Sequence, residues 1–205
     1  MPNWCRNEVI IRSRDHANLK RILNAAEEGK LLEFLRPYTK DTNYEWDYDW
    51  CVRNWGTKWD ASEITYAELS PVVLDTEVEM FGVENDGVWE LCIDFLTAWS
   101  PPIEAFHYAA EAMGFEFYLY YLEEGMGFVG CAYAFDGLYD DECYNLYKYG
   151  DELPSEEVYL DMFPYHIVDH FNLSQVYQDL LYQDLAECEE EERLAKEEME
   201  GVDNA

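Results

Sequence analysis

Between Trp59 and Tyr147 the chain contains no lysine and no arginine. So long a stretch without a cation excludes the kind of basic face on which a nucleic-acid backbone or an anionic membrane docks. Long apolar runs are missing as well, and nothing approaches the roughly 18 uninterrupted apolar residues of a bilayer-spanning helix. The opening Met1-Pro2-Asn3-Trp4-Cys5-Arg6 lacks the basic-then-apolar pattern of a secretory signal, so a cytoplasmic location is expected. The six cysteines, at 5, 51, 92, 131, 143 and 188, include no CxxC pair. In a reducing compartment most of them, in apolar strand-like contexts, read as small hydrophobes rather than as disulfides.

What is present in excess is carboxylate. Against 13 Lys and Arg stand 45 Asp and Glu, for a net charge of -32 and a pI near 4.1. Residues 1 to 60 are neutral, with ten acids and ten bases, so the whole surplus follows residue 60. Self-repulsion among such carboxylates opposes the compact state, and a charge of about 2 to 8 already keeps a small domain dissolved. Solubility and adaptation to high salt are the competing explanations. The reading preferred here is a surface for a basic partner, a nucleic-acid-binding host protein or complex, with no direct contact to nucleic acid or membrane.

The remaining composition is that of a folded domain: 49% apolar residues and 17% aromatics in 205 residues supply an ample core for one domain. WCRNEVIIR at 4 to 12 alternates as a strand, and Asp15 is placed to cap a helix from His16 to about Glu28, with Leu19, Ile22, Leu23 and Ala26 on one face. Lys30 to Leu35 suits a strand or a short helical turn, and residues 38 to 50 a polar, aromatic-rich loop. Strands are expected near 63 to 69, 78 to 83 and 88 to 98, with Asn85-Asp86-Gly87 as a hairpin turn. Ser100-Pro101-Pro102 leads into a helix from Ile103 to Met113 that Gly114 stops. FEFYLYYL at 115 to 122 and FVGCAYAF at 128 to 135 follow as a hairpin. Helices are expected from Pro154-Ser155 to Phe171 and from Ser174 to about Met199, the last part solvated. The sum is an α+β fold, a two-layer sandwich with helices on one face of a largely antiparallel sheet. It divides into residues 1–150 and a helical, acidic appendage at 151–205.

MPNWCRN at 1 to 7, FLRPY at 34 to 38, NWGTKWD at 54 to 60, FLTAWSPP at 95 to 102 and YLEEGMGFVGCA at 121 to 132 occur in this order. By these segments the chain resembles the YubB-type family of conjugative plasmids and bacteriophages, which carries a ferredoxin-like domain. The resemblance covers residues 1 to about 135. It implies a mobile-element origin, hence the cytoplasm of a bacterial host. It also implies a genetic context shared with genes that counter restriction and CRISPR defence. The shape name implies no iron–sulfur cluster, because the cysteines lack that spacing.

The expected function is therefore non-enzymatic: an anti-CRISPR or anti-restriction protein that mimics DNA or occludes a basic groove, with no cofactor, no metal and no catalytic residue. Partner contacts are assigned to Glu123, Glu124, Asp136, Asp140, Asp141 and Glu142, with Tyr139 and Tyr144 as anchors, since Tyr covers area at low entropic cost. The alternative is a small-ligand-binding or enzymatic site at Trp55, Lys58, Asp60 and Trp99, against which stands a structural corner built on Gly56 with Lys58 paired to Asp60. His166 and His170, four apart, have the spacing of metal ligands but no third partner in the sequence pattern. Asp41, Asn43, Glu45, Asp47 and Asp49 fail as a calcium loop, because Trp46 and Val52 stand where Gly and Glu are needed.

Overall fold

The computed structural model describes residues 3–39, 46–72, 87–147, 153–183, 185–186 and 193. The chain forms two compact units, Met1–Tyr144 and Asn145–Ala205.

The first unit begins with strand β1 (Trp4–Ser13), in which Cys5, Asn7, Val9 and Ile11 are buried and their alternates are not. Helix α1 (His16–Glu27) follows, and Asp15 caps it as its residue type suggests, its carboxylate accepting from the Asn18 N–H at 3.0 Å. Two short helices come next, α2 (Leu31–Leu35) and α3 (Tyr48–Trp55). Lys30 to Leu35 thus takes the helical alternative. The loop expected up to residue 50 contains the start of α3, capped by Asp47, which accepts from the Trp50 N–H at 3.0 Å. Strands β2 (Ser62–Pro71) and β3 (Trp89–Ala98), helix α4 (Ile103–Met113), and strands β4 (Glu116–Glu123), β5 (Phe128–Phe135) and β6 (Leu138–Asn145) complete the order. The expected strand at 78 to 83 and the turn residues Asn85 and Asp86 lie outside the described residues.

The six strands run in the order β2-β3-β1-β4-β5-β6, with β2 and β3, β3 and β1, β1 and β4, and β4 and β5 paired antiparallel. Taken alone, β1-α1-β2-β3-α4-β4 is the β-α-β-β-α-β arrangement of a ferredoxin-like sandwich, and β5 and β6 extend its sheet beyond β4. Val9 sits at the centre, opposite Ile93 on one side and Leu119 on the other. The inward rows of β1, β3 and β4 meet Leu19 and Ile22 of α1, Leu31, Leu32 and Leu35 of α2, and Phe106 of α4 in one core. Phe106 links helix to sheet, its ring 6.1 Å from Phe95 and 5.7 Å from Phe117. Fully burying a side chain of this kind contributes about 1.5–3 kcal/mol, so this aromatic row is a large share of a domain's net stability.

In the second unit, α5 (Glu156–Leu160) and α6 (Tyr165–Phe171) are separate helices. Pro164, which stands before α6, breaks what the sequence suggested as one helix, because proline offers no N–H to continue a preceding turn. Residues 173–183 are again helical. Tyr159, Phe163, Ile167, Leu173 and Tyr177 are buried, with the Tyr159 ring 5.2 Å from both Phe163 and Tyr177. The rest of the expected acidic tail lies outside the described residues, apart from isolated positions.

Candidate functional site

Strand β6 is an outer strand of the sheet, joined to β5 by Asp136-Gly137, both in left-handed conformation with φ of 50° and 75°. Positive φ at both central residues is the signature of a tight two-residue hairpin, and Asp-Gly is a preferred pair for it. The strand that follows, Leu138-Tyr139-Asp140-Asp141-Glu142, leaves the first four of these residues exposed and Glu142 half-buried. Three successive carboxylates therefore lie along an open edge. Tyr139 stacks on His107 of α4, with ring centroids 3.9 Å apart, while the Tyr144 hydroxyl donates to Glu142 Oε2 at 3.2 Å. Asp141 accepts from the Tyr121 hydroxyl at 2.6 Å.

Glu123 differs from the other assigned acids. It is 1% exposed, and its carboxylate accepts the N–H groups of Gly125, at 3.1 Å, and of Met126. It closes the β4–β5 turn from inside and does not belong to the displayed set. Glu124, one residue on, is exposed.

At the end of the sheet where β1 begins and β3 ends, three of the unusual segments converge. Asn7 Nδ2 donates to the Cys5 carbonyl at 2.9 Å and to Thr97 Oγ1 at 2.8 Å, and the Thr97 hydroxyl donates to the Ser100 carbonyl at 2.8 Å. The Ser100 hydroxyl in turn donates to the Gly56 carbonyl, and Thr57 donates to the Ala98 carbonyl at 2.8 Å. Gly56 ends α3 at φ 85°, and a Cβ there would stand 2.9 Å from the Pro101 carbonyl oxygen. Only glycine meets both demands.

Trp55, Lys58 and Asp60 of the alternative ligand site each contact a different part of the chain. Trp55 is buried, its Nε1 donating to the Arg36 carbonyl at 2.8 Å. Asp60 accepts from the N–H groups of Leu32 at 2.7 Å, Glu33 at 3.0 Å and Ala61 at 2.7 Å, so it caps α2 in place of the expected pairing with Lys58. Burial pushes its carboxyl above the usual range, opposed by those three hydrogen bonds. Lys58 Nζ lies over the Trp59 ring, 4.2 Å from its centroid. Trp99 is half-exposed, and neither of the two cavities described below is lined by any of the four residues.

Those cavities flank β1. One, of about 320 Å³, is lined by Asn3, Trp4, Arg6, Leu122, Glu123, Glu124 and Gly125. The other, of about 430 Å³, includes Arg12, Arg14, Asp15 and Glu116, and Arg12 Nε is paired there with Glu90 Oε2 at 2.7 Å. The composition that singled out acids and tyrosines gave no reason to look at Trp4 and Arg6, although MPNWCRN was already among the unusual segments.

Residues 81–157 match a family model described as the ferredoxin-like domain in Api92-like protein. The match runs from before β3 through β6 and into α5, beginning and ending later than the resemblance drawn from the sequence. It agrees with the strand order in identifying a ferredoxin-like domain. No curated protein and no solved structure matches the chain.

Within this ferredoxin-like sheet, Gly125-Met126-Gly127-Phe128-Val129-Gly130 has the spacing of a dinucleotide fingerprint. That motif works only between a strand and the helix whose N-terminus holds the pyrophosphate. Here it joins two antiparallel strands, and Gly130 is glycine because the Tyr121 ring and the Glu142 carbonyl fill the space over it. His166 and His170 lie on α6, and among the described residues no group of three or more His, Cys, Asp and Glu is placed to hold a metal ion. Asp41, Asn43 and Glu45 lie outside the described residues. Among the described residues, no helix is long and apolar enough to cross a membrane.

Proposed function

We propose that this is a non-catalytic protein of plasmid or phage origin that occupies the basic, nucleic-acid-binding groove of a host defence complex, of the CRISPR or restriction type. The observation that carries the reading is the open β6 edge. Asp140, Asp141 and Glu142 follow one another on it, within a stretch of sequence that supplies no cation of its own. Residues two apart on a strand share a face and lie about 6.8 Å from each other, so Asp140 and Glu142 set two carboxylates on one face about two phosphate steps apart on the scale of duplex DNA, where each step is about 3.4 Å. A groove lined with Lys and Arg gains from counterion release whichever polyanion enters it. Asp136 lies in the turn that opens β6, Glu124 is exposed in the β4–β5 turn, and Tyr139 stands on the opposite face of β6 from Asp140, against His107. The YubB-type resemblance supplies the mobile-element context, and with it the expectation of a host-cytoplasmic partner.

Charged residues on an outer strand also prevent edge-to-edge aggregation, so the test separates the two roles. The triple substitution Asp136→Asn, Asp140→Asn, Glu142→Gln is compared with the unaltered protein for inhibition of defence in cells and for solution mass. Loss of inhibition by a variant that stays monodisperse supports the reading. Full inhibition by that variant, or capture of the target that does not weaken as salt rises, removes it.

A further inference from the structure

Trp4 and Arg6 are two residues apart on β1 and so share one side of the sheet; both line the cavity of about 320 Å³ together with Leu122, Arg6's cross-strand partner, and with Glu124 and Gly125. The wall is built rather than incidental. Asn3 is held by its carbonyl, which accepts the Trp99 N–H at 3.0 Å, and Trp99 sits at φ 75°. A bulky residue adopts that left-handed conformation only where its surroundings impose it. On the other side, a Cβ on Gly125 would stand 2.5 Å from Asn3 Nδ2, so the turn closes directly on the Asn3 amide. The buried Glu123 fixes that turn through the Gly125 and Met126 N–H groups.

The charge of the cavity follows from its neighbours. Arg6 is the one cation of the lining, against Glu123 and Glu124, and it lowers the carboxyl of Glu8, next on the same side of β1, against the larger upward push of burial. Glu123 and Glu124 then leave a negative surplus beside a Trp4 indole that is 40% exposed. An aromatic face next to carboxylates recognises a cation, and a flat, weakly hydrated guanidinium stacks on it better than an ammonium does.

We propose that this cavity takes the guanidinium of an arginine side chain from the basic partner, stacked on Trp4 with Glu124 as counter-charge. The inference rests on the reading of the protein as a ligand for a basic groove, and adds which side chain it selects and where. The full-length protein is titrated by calorimetry with two peptides of equal length and charge, one carrying arginines and the other lysines. Tighter binding of the arginine peptide is expected. Trp4→Ala lowers its affinity about five-fold, the scale of a partly desolvated cation–π contact, and leaves the lysine peptide unchanged. Trp4→Phe, which keeps a ring, retains part of the preference and guards against a folding defect. Equal affinity for the two peptides, or a preference that survives Trp4→Ala, overturns the assignment. Salt-dependent capture of the defence target without an arginine preference removes the cavity alone. An arginine preference through Trp4 in a protein that inhibits no defence removes the defence reading and leaves the cavity standing.

Discussion

The Tyr121 hydroxyl passes over Gly130 to reach Asp141 Oδ1 at 2.6 Å. The same residue pairs with Gly130 across the β4–β5 ladder, so a core tyrosine of β4 fastens the outer strand β6 through a glycine left bare for it. Burial and the Asp141 carboxylate both push its phenol well above the usual tyrosine range. Gly130→Ala is expected to destabilise by about 2 kcal/mol or more, since an added methyl in a filled space costs roughly 1–3 kcal/mol. Tyr121→Phe is expected to cost about 1 kcal/mol for the lost hydrogen bond. Urea denaturation followed by circular dichroism measures both. A Gly130→Ala midpoint equal to that of the unaltered protein would refute the close approach.

Asp141 and Asp140 are neighbours with different tasks. Asp141 is engaged by Tyr121, whereas Asp140 lies exposed and accepts the N–H of Asp141 at 2.9 Å. Asp141→Asn keeps an acceptor for the phenol, so its stability should change by less than about 1 kcal/mol. If the edge is the binding surface, Asp140→Asn should weaken target capture at least as much as Asp141→Asn. Affinity measured at low salt for the two single variants checks the order.

Much of the sheet was legible because its outer and inner rows differ in polarity. WCRNEVIIR and WELCIDFLTA alternate, and each strand was expected within a residue or two of where it lies. Asp15, Pro102 and Gly114 marked helix boundaries for reasons of capping and φ that are local to the residue. Two elements were not legible. Helix α3 buries only Cys51 and Trp55, an apolar pair too narrow to stand out among its tyrosine and aspartates. Strand β6 is masked by its own carboxylates, which read as surface, although Asp136-Gly137 carries the same hairpin signal as Asp86-Gly87. The site suffered from the same bias: abundance of acids drew attention to Glu123, whose role is to close a turn. Nothing in its residue type distinguishes it from Glu124 beside it.

The NWGTKWD corner gives a prediction with a built-in control. Asp60→Ala removes the acceptor shared by the Leu32, Glu33 and Ala61 N–H groups, and loss of a helix cap typically costs about 1–2 kcal/mol. Lys58→Ala removes an amine resting on Trp59, worth about 0.5–1 kcal/mol at an exposed site. Thermal melts of the two variants should therefore separate clearly, with Asp60→Ala the lower. A Lys58→Ala variant that melts normally but loses biological potency would return this segment to the functional candidates.

In the second unit, Tyr159 is fully buried and its hydroxyl has no hydrogen-bond partner among the described residues. A buried unpaired hydroxyl carries a desolvation cost of about 1–3 kcal/mol, while the ring itself packs against Phe163 and Tyr177. Tyr159→Phe keeps the ring and removes the cost, so it should raise the melting temperature, whereas Tyr159→Ala should lower it sharply through the cavity left behind. Differential scanning calorimetry distinguishes these; a Phe variant less stable than the parent would mean that the hydroxyl has a partner.

Burial shifts several acids in one direction, which fixes the sign of the pH dependence. Cys92 is pushed up to about 11, Cys131 to about 12 and Tyr120 to about 12, each because ionisation inside the fold is disfavoured. The folded chain therefore holds protons that the unfolded chain releases, from the ordinary thiol and phenol range of about 8.5–10 upward. Stability from these groups is complete below that range and falls as pH rises through the folded values. Glu8 and Asp60, also raised by burial, act with the same sign lower down, their contribution being lost as pH rises through their folded values. Urea midpoints should accordingly decline between about pH 7 and pH 11, and Tyr120→Phe should make the alkaline part of that decline shallower. Added salt should raise the midpoint at neutral pH by screening the repulsion of a chain with net charge -32, yet reduce the Tyr120 contribution less, because a half-buried phenol is screened less than surface carboxylates. A midpoint that rises from neutral to alkaline pH would contradict the burial of these groups.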